Sequence, residues 1–198
     1  EPFRVAASGV TEKGVSFVEK PGSLQAALRV VRKHIPRSHP DYNDTSFVNL
    51  LLGGYFGSRL IDNLREDKGY TYGIGSHISD YSFGSDWTIA TEVKNDVKDD
   101  AVREIFNEMQ RLCDEKVGEE ELTIARNYTL GRILRNLDGA YQILRYAETS
   151  VLQGYDYEVF YKNFERIKSI TPDEIQAAAR KYLKKEDWLT VVCGSTVK

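Results

Sequence analysis

The chain has 198 residues, 41% of them hydrophobic, and its 27 basic and 30 acidic residues leave a formal net charge of −3. That length suits one large or two small domains, and the near-balance of charge excludes the broad basic field that nucleic-acid binding requires. No apolar run reaches the roughly 20 residues of a membrane-spanning helix, and no basic stretch with an apolar run behind it suggests a secretory leader. Residue 1 is Glu and the single methionine is Met109. A piece excised from a longer protein is therefore expected, with residues 1–13 as a linker and 14–198 as one domain.

In chain order, Gly14–Glu19 alternates like a strand, with Val15 and Phe17 against Ser16 and Val18. Pro21-Gly22 marks a turn. Leu24–Lys33 reads as a second strand with Ala26, Leu28 and Val30 on one face. After Pro36–Pro40 a helix capped by Asp41 or Asp44 is predicted to run to about Leu52, ended by Gly53-Gly54. Ser58 opens another helix whose stripe is Leu60, Ile61 and Leu64, and Lys68-Gly69 stops it. Tyr70–Ser79 and Asp86–Val93 read as a hairpin joined by a turn over Tyr81–Ser85. Trp87, Ile89, Thr91 and Val93 alternate there with Asp86, Thr88, Ala90 and Glu92, the pattern of a sheet with one polar face.

From Asp99 the period becomes helical, with Val102, Ile105, Phe106, Met109 and Leu112 on one stripe. Gly118 breaks it. A second stripe carries Leu122, Ala125, Ile133, Leu134 and Leu137, and Asp138-Gly139 ends or kinks that helix. Helices over Ile143–Leu152, stopped by Gly154, and over Tyr157–Ile167 follow. Thr171-Pro172-Asp173-Glu174 is a helix start, with Thr as cap, Pro at the first position and Glu three residues on. That helix runs to about Lys184, and Leu189–Cys193 is a last strand. Strands and helices are segregated, which predicts an α+β two-layer domain whose largely antiparallel sheet has about five to six strands.

Few residues invite chemistry. His34 and His39 lie five apart across Pro36, a spacing that cannot put two ligands on one helical face, and both read as exposed loop residues. His77 reads as a sheet-face residue. Neither His-x-x-Glu-His nor His-Glu-x-x-His occurs. There is no Gly-x-Ser-x-Gly, Walker loop or dinucleotide fingerprint. Cys113 and Cys193 fit no metal spacing and are expected to be buried free thiols. Gly53, Gly54 and Gly57 suit a helix–helix corner, a close backbone approach, or both.

Arg65 and Tyr72 stand out. Arg65 falls near a helix C-terminus, where the dipole favours a cation, and Tyr72 falls early in the strand predicted to follow. Together they place a fixed positive charge and a phenol at one end of the sheet, groups able to hold a peptide carbonyl or a developing oxyanion. The plainer alternative pairs Arg65 with Glu66 or Asp67 and packs Tyr72 in the core. Tyr70 competes with Tyr72.

Leu51-Leu52-Gly53-Gly54, Ser58-Arg59-Leu60, Leu64-Arg65-Glu66 and Gly69–Tyr72, in that order, resemble the pitrilysin/insulinase-type zinc metallopeptidases, a family that includes the mitochondrial processing peptidases. The resemblance runs from about residue 14 to 195. It implies repeated α+β domains of about this size, one carrying an inverted zinc motif and a second closing a cleft on the substrate. The chain resembles the second. The resemblance implies a substrate-binding, cleft-closing domain of a zinc metalloendopeptidase, inactive alone, with Arg65 and Tyr72 contacting an extended peptide and zinc held by a partner half-domain, in the same chain or a separate subunit. The alternative is a non-catalytic structural or partner subunit of the same fold.

Overall fold

Strands β1 (Gly14–Glu19), β2 (Gln25–His34), β3 (Ile74–Tyr81), β4 (Gly84–Lys94) and β5 (Leu189–Gly194) form one sheet in the order β1-β5-β2-β4-β3. The computed structural model describes residues 13–81, 84–152 and 157–196. The expected linker up to residue 12, the turn residues Ser82 and Phe83, and the helix stop at Gly154 lie outside the described residues. Pairings β2–β4, β2–β5 and β3–β4 are antiparallel, and only β1–β5 is parallel. A parallel pair needs a long crossover, and here every described helix lies between those two strands.

The alternation seen in the sequence sorts the two faces. Leu28, Val30, Trp87, Ile89 and Val93 are buried on the face where helix α1 (Tyr42–Asn49) packs on β3, helix α2 (Lys98–Asp114) packs on β2 and β4, and α6 (Pro172–Tyr182) packs on both helices. Arg29, Lys33, Glu92, Lys94 and His77 occupy the opposite, exposed face. Leu51, Leu52, Leu60 and Leu64 are fully buried, each contributing about 1.5–3 kcal/mol through removal from water. Helices α3 (Glu119–Asn136), α4 (Ala140–Leu152) and α5 (Tyr157–Ser169) complete the helical layer. This is the predicted α+β architecture with five strands.

The start of α6 is as expected. Thr171 Oγ1 accepts from the Glu174 amide at 3.3 Å, and the Glu174 carboxylate accepts from the Thr171 amide at 2.9 Å. Gly139, with φ +109°, separates α3 from α4.

Five details differ from expectation. Neither Asp41 nor Asp44 caps α1 with its side chain. The Asp41 carboxylate accepts from Lys181 and the Tyr182 hydroxyl, and Asp44 accepts twice from Arg166. Long-range cationic and phenolic donors thus displace the local cap. His34 ends β2 rather than sitting in a loop. It is buried among the rings of Tyr42, Trp87 and Tyr182, with Nε2 3.0 Å from Thr45 Oγ1. Leu134 is exposed, because only the N-terminal half of α3 packs on the core. Tyr81, Gly84 and Ser85 belong to the paired strands rather than to a turn. Both cysteines are free, but only Cys113 is buried, since Cys193 points to the open face of the sheet.

Candidate functional site

The corner after α1 is built by close approach. A Cβ on Gly53 would lie 2.8 Å from Ser76 Cβ and 2.9 Å from the Ser76 amide nitrogen, so only glycine lets the wide helical turn Leu50–Gly54 rest on β3. Ser76 Oγ donates to Asn49 Oδ1 at 2.7 Å and accepts from Trp87 Nε1 at 2.8 Å, locking that contact. Both readings of the glycine cluster, a corner and a close approach, hold.

The next three residues divide inward and outward. Tyr55 turns in against Tyr128, with ring centroids 5.2 Å apart. The Ser58 amide closes the turn on the Tyr55 carbonyl at 3.1 Å. Phe56 is left facing out, 67% exposed.

The helix Ile61–Asp67 that follows is wide, shown by the Lys68 amide donating to the Asn63 carbonyl five residues back at 3.0 Å. Such turns are uncommon and frequent at functional sites. The Tyr70 amide reaches the Leu64 carbonyl at 2.9 Å, around Gly69 at φ +62°, a left-handed conformation that closes a helix C-terminus.

Arg65 lies in the last turn of this helix, where its charge meets the carbonyl end of the dipole. Its Cζ sits 4.7 Å from the Phe56 ring centroid. Its Nε lies 3.6 Å from a Glu66 carboxylate oxygen, an ion pair too long for a hydrogen bond. Among the described residues no group accepts a hydrogen bond from the Arg65 guanidinium. Six residues earlier, Arg59 is held differently, donating from Nε and Nη2 to both Glu121 oxygens at 2.8 and 2.9 Å.

Tyr72 is not in the strand, which begins at Ile74. Thr71 Oγ1 donates to the Gly73 carbonyl at 2.9 Å and accepts from the Gly73 amide at 3.1 Å, bending the chain before β3. Thr91 on β4 ties the bend down through the same two groups. The Tyr72 ring is left 94% exposed, whereas Tyr70 packs against the core. The alternative that buries Tyr72 is thus wrong, and the one that pairs Arg65 with Glu66 is right but incomplete. No hydrogen bond, ion pair or ring contact joins Arg65, in the helix, to Tyr72, in the bend that follows it. Tyr72 borders a shallow depression of about 330 Å³ on the open sheet face, with Gln25, Arg29, Ala90 and Glu92.

Sequence reasoning missed Phe56. The available signal was an aromatic bracketed by Gly54 and Gly57, beside a second aromatic that could fill the inward position.

Among the described residues no group of three or more His, Cys, Asp and Glu could hold a metal ion. The residues present therefore do not fit a zinc site. No described helix is long and apolar enough to cross a membrane.

With this geometry in view, residues 2–129 match the family of the peptidase M16 inactive domain, and the chain belongs to that family. It is 31% identical over 131 residues to an uncharacterized zinc protease of Rickettsia bellii, a match covering 66% of this chain and 29% of that protein. The fold is similar to the peptidase M16 inactive domain of Pseudomonas fluorescens, with a TM-score of 0.84 and 22% identity over 92% of this chain and 44% of that one. It is also similar to a protease of Helicobacter pylori, with a TM-score of 0.83, 17% identity, and coverage of 91% and 43%. The chain thus spans under half the length of these relatives.

Proposed function

We propose that this domain is the substrate-binding, cleft-closing wall of a zinc metalloendopeptidase whose metal is carried by a partner half-domain, in the same chain or a separate subunit. The observation that carries the reading is the state of Arg65. Its N–H groups are free of hydrogen bonds among the described residues while its Cζ lies over the Phe56 ring, and the exposed phenol of Tyr72 lies in the connection that follows. An extended peptide presents carbonyl oxygens to both. A guanidinium donates along two parallel N–H bonds to such acceptors, and a phenol donates one. Donors fixed before the reaction stabilise charge as it grows on a carbonyl oxygen, in a cleft from which closure excludes water. The belonging of this chain to an inactive domain found in proteins named as zinc proteases is consistent with that division of labour. Residues 14–198 then act as one unit, behind a linker.

The test is steady-state kinetics on the full-length protein together with its zinc-carrying half. Arg65→Ala should lower kcat/KM by about a hundredfold, the loss typical of one oxyanion donor, and Tyr72→Phe should lower it by roughly tenfold, the upper end expected for a single neutral hydrogen bond. Unchanged values in both variants rule out the substrate role and favour a purely structural subunit.

A further inference from the structure

Arginine side chains that are fixed in this fold are mostly fixed by their edges. Arg59 is clamped by Glu121, Arg166 by Asp44 and Glu174, and Arg180 by the Cys113 carbonyl. Each of those contacts is made through guanidinium N–H groups, and in Arg59 and Arg166 it uses both Nε and a terminal nitrogen. Arg65 is held the other way, over an aromatic ring. Its guanidinium carbon lies 4.7 Å from the centre of the Phe56 ring, and its five N–H groups make no hydrogen bond among the described residues. A planar cation on an aromatic face is steadied by the ring quadrupole without using its donors.

Phe56 is itself held for this purpose. The turn that carries it is closed by the Ser58 amide on the Tyr55 carbonyl, and Tyr55 is anchored inward on Tyr128. A Cβ on Gly57 would come within 3.0 Å of the Tyr55 ring, so the turn admits no side chain there without moving Tyr55. The Phe56 ring stays 67% exposed. An aromatic left in water at a fixed turn contributes little to the core, and its one ring partner among the described residues is Arg65.

We infer that Phe56 is the positioning residue for Arg65: it supports the guanidinium by its face so that the N–H edge stays free and oriented toward a substrate carbonyl. This rests on the substrate role proposed for Arg65, and it adds a residue and a mechanism that the role does not itself require. Glu66, the only carboxylate among the described residues within 4.0 Å of that guanidinium, sits at an ion-pair distance that a rotation of Arg65 could convert into a hydrogen bond. Without the ring, Arg65 is free to make that turn and to occupy its donors on its own neighbour.

The experiment compares Phe56→Leu, Phe56→Trp, Arg65→Ala and the double variant Phe56→Leu/Arg65→Ala in the full-length protein with its zinc-carrying half, using one extended peptide substrate. Phe56→Leu keeps an apolar side chain and removes the quadrupole. It should lower kcat about tenfold with KM within about twofold, as misplacement of a transition-state donor does, and with the melting temperature unchanged. Phe56→Trp should restore the rate to within about twofold, because indole is the stronger cation binder. In the double variant the Phe56 change should cost nothing further, since its effect runs through Arg65. A normal rate in Phe56→Leu beside a defective Arg65→Ala overturns the positioning role alone. A normal rate in Arg65→Ala overturns the substrate role and this inference with it. An additive double variant, or a Phe56→Trp as slow as Phe56→Leu, shows that Phe56 acts on something other than Arg65.

Discussion

Arg59 and Arg65 lie one and a half turns apart along the same segment and are held in opposite ways. Arg59 turns inward, its side chain 12% exposed, and bridges to Glu121 at the start of α3 with two short bonds. Arg65 turns outward over an exposed ring, with its donors free. The first arrangement joins two elements of the fold. The second stores no comparable stability, because a half-exposed cation–π contact contributes only about 0.5–1 kcal/mol. Position on a helix does not tell the two arginines apart. What separates them is whether carboxylate acceptors or an aromatic ring make the contact.

The contrast breaks most cleanly at Arg65. Replacing it with alanine should cost about a hundredfold in kcat/KM while the melting temperature stays within a degree or two of the parent. Arg59→Ala should do the reverse. It strands the Glu121 carboxylate, 28% exposed, and should destabilise the fold by about 1–3 kcal/mol, read as a lower urea midpoint, with activity per folded molecule retained. A stability loss at Arg65 or a rate loss at Arg59 would merge the two classes.

Two further changes sharpen it. Gly53→Ala drives a methyl group into Ser76 at 2.8 Å. It should cost about 1–3 kcal/mol by overpacking and shift the whole corner, so its defect should appear in the urea midpoint and the rate together. At the small end, Tyr70→Phe should change kcat/KM by less than about twofold, a limit set by its hydroxyl making no hydrogen bond among the described residues. It serves as the control for Tyr72→Phe.

His34 supplies a separate test of the core beneath the site. Burial, helped by the Arg32 charge, lowers its pKa to about 4, below the ordinary value near 6.5. The unfolded chain therefore binds a proton more readily than the folded one between those values. Stability should be full above pH 6.5 and decline as the pH falls toward 4. His34→Gln should remove that part of the slope when urea midpoints are compared at pH 7 and pH 5. Asp41 and Glu174, held low by their hydrogen-bonding partners, lose their contribution only as the pH falls through their ordinary values of 3.8 and 4.5, below the pH 7 to pH 5 comparison.

Much of the fold was legible in the sequence because its signals are local and repeated. The period-two alternation of Trp87–Val93 and the Thr171–Glu174 capping box each specify geometry with neighbouring residues only. The misjudged residues are those placed by distant partners. Asp41 and Asp44 resemble caps until Lys181, Tyr182 and Arg166 reach them, and His34 resembles a loop residue until three rings from three elements surround it. The site shows the same division. Arg65 and Tyr72 were visible as a spacing, and Gly53 as a break. The start of β3 at Ile74 was not, because the bend before it is set by Thr71 and by Thr91 twenty residues away. Phe56 escaped notice because its role appears only once Arg65 is seen lying on its ring.

The most direct measurement is a crystal structure of the full-length protein with its zinc-carrying half and a bound extended peptide. The account predicts the Arg65 guanidinium still stacked on Phe56, with at least one N–H within about 3.2 Å of a peptide carbonyl oxygen. A peptide seated in the cleft with Arg65 turned away onto Glu66, and no carbonyl within reach of it, would contradict the account.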